Sequence, residues 1–357
     1  MCAVLAGNLR RSAARATLGR NRTHRVGWVT AHAIDTVSAG RRFGTLGSAV
    51  DMRVTNNARW INRHSTAIWN ELYDPGRTYD TVIFFKAMDP ACQQEARRIK
   101  DRGGRVIFDA NVNYYEIWGT YDIPGTRPTD QQHRDVVEMT TLADSVVADS
   151  TYILDRAREY NPNAVWIPDN VDLTVFKGTR PHVKTGSLRL IWSGIAKKSQ
   201  QLLMLRDVFA KLPDVELVLV SDDHPTAMEE LQEVIPCEYV RYSDRSYTRA
   251  LLGCDVIISP KILNNAYEMG HTEYKITLGM AVGLPSVASA QRSYVEAIEH
   301  RGGGIIAETE ADWLSALSSL ASDAEMRRDL GEKARLTVLE KYSTPVVAQS
   351  FLNLLKG

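Results

Sequence analysis

Residues 188–203 read LRLIWSGIAKKSQQLL. Leu188–Ser193 is an apolar run of strand length. Gly194 follows, then the adjacent lysines Lys197 and Lys198, and the apolar spacing of Gln200–Leu212 is helical. A strand, a glycine turn and a helix open a βαβ unit, the building block of a parallel sheet. The alternation continues downstream. Strands are expected at 215–223, 238–243, 254–260, 284–289 and 303–308, with helices at 200–212, 225–234, 246–252 and 272–282 between them. Helices at 310–320, 324–342 and 345–355 close the chain. The same alternation runs upstream. Strands are expected at 25–30, 79–86, 105–111, 144–150 and 164–172, and helices at 89–102, 131–143 and 151–160. The run YDTVIFFK (Tyr79–Lys86) has the unbroken apolarity of a strand buried on both faces, and Gly103-Gly104 is a helix stop.

These elements divide the chain. Residues 1–24 form a basic arm, 25–172 a first doubly wound domain, 173–187 a polar linker and 188–344 a second such domain. The last helix, within 345–357, is expected to pack back on the first domain. Ligands of such sheets bind at the carboxyl ends of the strands, so a cleft between the domains is the expected site.

Composition narrows the function classes. The chain has 357 residues, 44% of them hydrophobic, enough for two cores. Lys+Arg and Asp+Glu both total 43, for zero net charge. That balance lacks the basic excess of a nucleic-acid binder, and no nucleic-acid partner is expected. No apolar run reaches the ~18–20 residues of a membrane span. Cys2, Cys92, Cys237 and Cys254 have no C-x-x-C spacing, which signals neither zinc nor redox chemistry, and a reducing cytoplasm is the expected compartment. The arm MCAVLAGNLRRSAARATLGRNRTH carries five arginines and no acid. It is a candidate for peripheral contact with a membrane surface, here the inner face. A targeting segment or a plain tail are the other readings.

Two clusters carry chemistry. Gly194 lets a ligand approach the backbone closely, and Lys197 or Lys198 beyond it supplies a point charge for phosphate. In Gly270-His271-Thr272-Glu273-Tyr274-Lys275, Thr272 is the expected N-cap of the following helix. The free N–H groups of that helix suit an anion, with Lys275 adding charge and Glu273 accepting from ribose or sugar hydroxyls. In the first domain Ser38, Gly40 and Arg41 follow the first strand. Asp109, Asn111 and Asn113 end the strand RVIFDAN at the same rim. Asp109 or Asp35 is a candidate carboxylate base. His32, His64 and His271 are weaker candidates.

The second domain resembles the donor-binding domain of GT-B glycosyltransferases of the "group 1", family-four-like type. The residues that carry this are 188–203, EYVRYSDRSYTRALLGCDVIISP (238–260), HTEYKITLGMAVGLPSVAS (271–289), YVEAIEHRGGGIIAETEADWLSAL (294–317) and DAEMRRDLGEKARLTVLEKYS (323–343). ADSVVADSTYILDRAREY (143–160) and VWIPDNVD (165–172) extend it. The resemblance implies two Rossmann-like domains facing each other across a cleft. It implies transfer of a sugar from a nucleotide diphosphate sugar, in bacterial style, to a saccharide, lipid-linked or natural-product acceptor. No cofactor and no metal are expected. Gly194 and Lys198 match the family's phosphate-binding Gly and Lys. Val240–Ser243, with Arg241 and Tyr242, matches the nucleobase-pocket stretch, and Thr272, Glu273, Tyr274 and Lys275 match the donor loop. Asp109, Lys198 and Lys275 are the catalytic candidates.

Two departures stand out. Gly270 and Leu278 occupy the positions of the family's paired glutamates, and Ile195 or Ala196 stands where an Arg is usual. They motivate an alternative reading, a non-catalytic GT-B protein that binds a glycan or a partner. A dinucleotide oxidoreductase is not supported, because no G-x-G-x-x-G follows a strand.

Overall fold

The computed structural model describes residues 24–30, 50–182 and 186–357. The arm 1–24 (save His24), Asp35, His32, Ser38, Gly40 and Arg41 lie outside the described residues.

The first domain is a six-stranded, all-parallel sheet. Its strands are β1 (His24–Thr30), β2 (Ile68–Leu72), β3 (Thr81–Phe85), β4 (Arg105–Ala110), β5 (Ser145–Ala148) and β6 (Ala164–Trp166), in the order β2-β1-β3-β4-β5-β6. Every residue of β3 is buried, as a strand covered on both faces requires. One face carries helices Pro90–Asp101, Asp130–Leu142 and Thr151–Arg158. The other carries helix Asn56–His64 and the C-terminal helix Thr344–Lys356. Local chemistry sets the ends. Asp89 accepts from the N–H groups of Ala91 and Cys92 ahead of Pro90, and the chain leaves that helix through Gly103 at φ +81°. Thr129 and Gln132 close a capping box.

The second domain repeats the architecture with β7 (Leu188–Ser193), β8 (Val215–Ser221), β9 (Cys237–Arg241), β10 (Val256–Ser259), β11 (Ser286–Ala288) and β12 (Gly304–Ile306). Their order is β12-β11-β10-β7-β8-β9, all parallel. The strand order reverses between β7 and β10. In such sheets the crevice outside the carboxyl ends at that switch point is where ligands bind.

Three expectations change. Strand β2 and the helix before it were not read from the sequence. IWNEL breaks its apolar run with Asn70 and Glu71, yet both are buried and partnered: Asn70 Oδ1 accepts from Trp28 Nε1 at 2.9 Å, and Glu71 pairs with Arg25 and Arg77. The segment after Lys198 is 3₁₀ through Leu205 and α-helical only over Arg206–Phe209. The stretch read as a linker packs on the second domain, with Phe176 in its core and Arg180 paired with Asp255. The crossings are sharper and lie elsewhere. Ile167 belongs to the first core and Val171 to the second; Tyr342 belongs to the second and Val347 to the first. The last helix packs on the first domain, with Phe351 5.6 Å from Trp28.

Candidate functional site

The carboxyl ends of both sheets meet around a cavity of about 230 Å³. The first domain contributes Lys86, Asn111, Asn113, Asp149 and Asp169. The second contributes Lys261, Tyr267, His271, Thr272 and Lys275, among others. The domains are tied beside it. Thr272 Oγ1 donates to Asp169 Oδ2 (3.0 Å), Ser150 Oγ to the Gly270 carbonyl (2.9 Å) and Asn113 Nδ2 to the Ala266 carbonyl (2.9 Å).

The second-domain wall is a cluster of cations around one carboxylate. Lys261, just past β10, donates to Glu268 Oε2 at 2.6 Å; Lys198 donates to Glu268 Oε1 at 3.2 Å. Burial would push the Glu268 carboxyl up, but Lys261 and Lys198 outweigh it and hold the group well below the usual carboxylate range. Burial, with Lys261 nearby, pushes Lys198 down to about 8. The Lys198 ammonium also donates to His271 Nε2 at 3.0 Å, so that nitrogen is an acceptor and the ring proton is on Nδ1. Burial and the neighbouring lysines keep His271 neutral, well below its ordinary pKa.

Lys275 stands in the first turn of helix Tyr274–Ala281. Its Nζ lies 5.5 Å over the Trp192 ring and 3.2 Å from where a Cβ on Gly194 would stand. Among the described residues no hydrogen bond or ion pair links that ammonium to another group. Burial, Lys198 and Lys261 push its pKa well below the ordinary lysine value. Gly194 is required here: a Cβ would also fall 2.7 Å from the Trp192 ring. Three lysines thus gather near one glutamate that pairs with two of them, Lys198 and Lys261, at the switch point between β7 and β10. The cluster holds more cationic than anionic groups, the balance of charge that suits an anionic ligand.

The predicted residues divide. Lys275, Thr272, Tyr274, Asn111 and Asn113 line the cavity. Lys198 sits one layer back, behind Tyr267 and His271, and bears on the cavity through them and Glu268. Lys197 is exposed. Arg241 and Tyr242 lie at the edge strand β9, away from the cavity lining, with Tyr242 donating to Asp244. Thr272 is not the N-cap: that position is Glu273, which makes no capping bond, and Thr272 reaches Asp169 instead. Glu273 is 1% exposed and does not line the cavity; burial near Asp169 and Asp149 pushes its carboxyl well above the usual range. It is not placed to meet a ribose.

Asp109 is also corrected. It is fully buried, and both its oxygens accept from Arg53 (3.0 Å and 2.9 Å), whose Nη1 reaches the Ile167 and Pro168 carbonyls. Burial disfavours the guanidinium, but Asp109 and Asp169 outweigh that and raise its pKa. The carboxylate is not among the groups that line the cavity. It fastens the crossing segment to the first sheet. His64 bonds the Trp60 carbonyl on an exposed helix end, apart from the cavity.

Sequence reasoning missed Lys86, Asp149, Asp169, Lys261 and Glu268. The rule that found Lys198, a polar residue just past a strand's carboxyl end, also applies to Lys86, Asp149 and Lys261. The two non-glutamate positions have packing reasons. A Cβ on Gly270 would fall 2.5 Å from Asn113 Cβ, and Leu278 is 4% exposed in the second core.

No family model and no curated protein matches the chain. Solved structures do. Sucrose-phosphate synthase from Thermosynechococcus elongatus matches with a TM-score of 0.68 at 12% identity, over 93% of this chain and 98% of that one. HepE from Anabaena, solved with UDP and glucose, matches at 0.66 and 12%, over 93% and 99%. A glycosyltransferase from Rickettsia africae matches at 0.65 and 16%, over 94% and 98%. The likeness is one of fold: two parallel sheets with interleaved helices, arranged as in GT-B glycosyltransferases.

Proposed function

We propose that the protein is a nucleotide-sugar-dependent glycosyltransferase that works without a metal. It moves a sugar from a nucleotide diphosphate sugar to a saccharide, lipid-linked or natural-product acceptor. The observation that carries this is the Lys275 ammonium. It lines the interdomain cavity with no anionic partner among the described residues, beside two lysines that share Glu268. When the bond from the anomeric carbon to the phosphate oxygen breaks, the leaving diphosphate gains negative charge. Fixed cations aimed at that charge lower the barrier. Lys275 would take the phosphate directly. Lys261 and the Lys198–Glu268–His271 network would hold the local field, supplying positive charge that a metal gives in other sites. HepE has been solved with UDP and with UDP-glucose, which supports a nucleotide-sugar donor here.

The test is release of nucleotide diphosphate from UDP-, GDP-, ADP- and dTDP-sugars offered with mixed saccharide and lipid-linked acceptors, with and without EDTA. Acceptor-dependent release that EDTA does not change supports the reading. No release from any donor favours the alternative, a non-catalytic GT-B protein that binds a glycan or a partner. Gly270 and Leu278 motivate that alternative, and the packing described above gives both positions a structural reason. No helix among the described residues is long and apolar enough to cross a membrane. For residues 1–24 we propose peripheral contact with a membrane face; equal liposome co-sedimentation with and without them would rule it out.

A further inference from the structure

The cavity wall opposite the lysines has its own unmet chemistry. It stands at the carboxyl ends of β3, β4, β5 and β6. Lys86 follows β3, where the first sheet reverses order beside β1, the same kind of position Lys261 holds in the second. Its backbone is left-handed, φ +55°, one of two non-glycine residues so placed among the described residues. Such conformations cluster at ligand sites because the surroundings must hold them. Asn111 Nδ2 donates to Asp149 Oδ2 (2.5 Å) and to Asp169 Oδ1 (3.3 Å). Asp169 takes Thr272 on its other oxygen, so both its oxygens are engaged. Asp149 differs. It is 1% exposed and lines the cavity, and its Oδ1 has no hydrogen-bond partner. The Lys86 ammonium has none among the described residues either; it lies 5.2 Å over the Phe85 ring, with the Asp149 and Asp169 charges acting on it.

A ligand that completes this wall donates a hydrogen to a buried carboxylate oxygen and accepts one from the neighbouring ammonium. A cation meets Lys86, and an anion meets two carboxylates. A hydroxyl group does both jobs without charge, and adjacent hydroxyls of one ring can reach both side chains. We propose that Asp149 and Lys86 form a hydroxyl-reading subsite for a neutral sugar ring and select which sugar enters the cavity. This rests on the glycosyl-transfer reading. The ring is either the transferred sugar or the acceptor.

The experiment uses the full chain, wild type and two variants, Asp149→Asn and Lys86→Ala. The first keeps the side-chain shape, and the second does not touch the Asn111 bridge. Calorimetry measures UDP, GDP, ADP and dTDP, the matching glucose and mannose nucleotides, and free glucose, mannose and galactose added to the nucleotide-loaded protein. The expected result is an unchanged affinity for the nucleotide diphosphate in both variants. It is accompanied by a roughly 10- to 100-fold loss for the sugar, the range of a hydrogen bond to a charged group. Loss confined to the nucleotide sugar assigns the subsite to the transferred sugar. Loss confined to the free monosaccharide assigns it to the acceptor. Unchanged sugar binding in both variants overturns the proposal, as does a wild type that binds nucleotide diphosphates but no sugar. Loss of nucleotide diphosphate affinity overturns it too, by placing both residues in the phosphate site. A wild type that binds no nucleotide fails the glycosyl-transfer reading itself, and the subsite falls with it.

Discussion

Replacing Lys275 by Met separates binding from stability. The methionine keeps a flexible apolar stem against Trp192 and Gly194 but removes the charge. A unit charge at 4 Å from another is worth ~4 kcal/mol at an effective dielectric of 20, and desolvation of both groups offsets part of that. The net worth of a charge-assisted bond is ~1.5–3 kcal/mol. Nucleotide diphosphate affinity should therefore fall roughly 10- to 100-fold. Stability should move the other way or not at all. The ammonium has no anionic partner among the described residues, and burial with two neighbouring lysines holds its pKa down, so its charge opposes folding. Isothermal titration at pH 7 reads the first effect, and thermal unfolding without ligand reads the second. Unchanged affinity would refute Lys275 as the phosphate anchor. A large fall in Tm would refute the view that its charge is uncompensated.

Two further predictions follow from the same electrostatics. Lys198 and Lys275 both have depressed pKa values, Lys198 at about 8. Nucleotide diphosphate affinity should fall as pH rises through about 8, with proton uptake on binding, seen as a heat that varies with buffer ionisation enthalpy. The stability sign is opposite. The folded state releases these protons before the unfolded chain does, so the Lys198 contribution to stability rises from about pH 8 towards the ordinary lysine value of 10.5, and Lys275, shifted in the same direction, also contributes more as pH rises. An affinity flat across pH 7–10 would contradict the cation cradle. Asp109→Asn should cost about 3 kcal/mol by removing the bidentate partner of the buried Arg53 guanidinium, which keeps only Asp169 at 3.5 Å as a counter-charge, with nucleotide affinity of the folded protein intact. A variant of normal Tm that has lost turnover would return Asp109 to the chemistry.

The sequence carried the fold further than the site. Continuous apolar runs such as Val82–Phe85 and Val256–Ile258 are buried on both sheet faces and so were legible as parallel strands. Strand β2 was not, because Asn70 and Glu71 are polar residues whose partners, Trp28 and Arg25, stand more than 40 positions away. The site divides in the same way. Gly194 and Lys275 sit at turns that announce themselves locally. Asp109 had the right place in its strand, but its partner Arg53 is 56 residues upstream, and that pairing removes it from the cavity. Glu268 lies in a four-residue helix, too short for periodicity to mark, and is held by Asn265. Asp149 and Asp169 fall within the strands expected at 144–150 and 164–172, and nothing local marks either as a site residue. Their meeting through Asn111 exists only once β4, β5 and β6 lie side by side.

The most direct test is a crystal structure of the full chain with the nucleotide diphosphate that the calorimetric panel selects. The account predicts the diphosphate in the interdomain cavity, with a phosphate oxygen within hydrogen-bond distance of Lys275 Nζ and beside Gly194. A nucleotide bound elsewhere, with Lys275 still resting over Trp192, would contradict it.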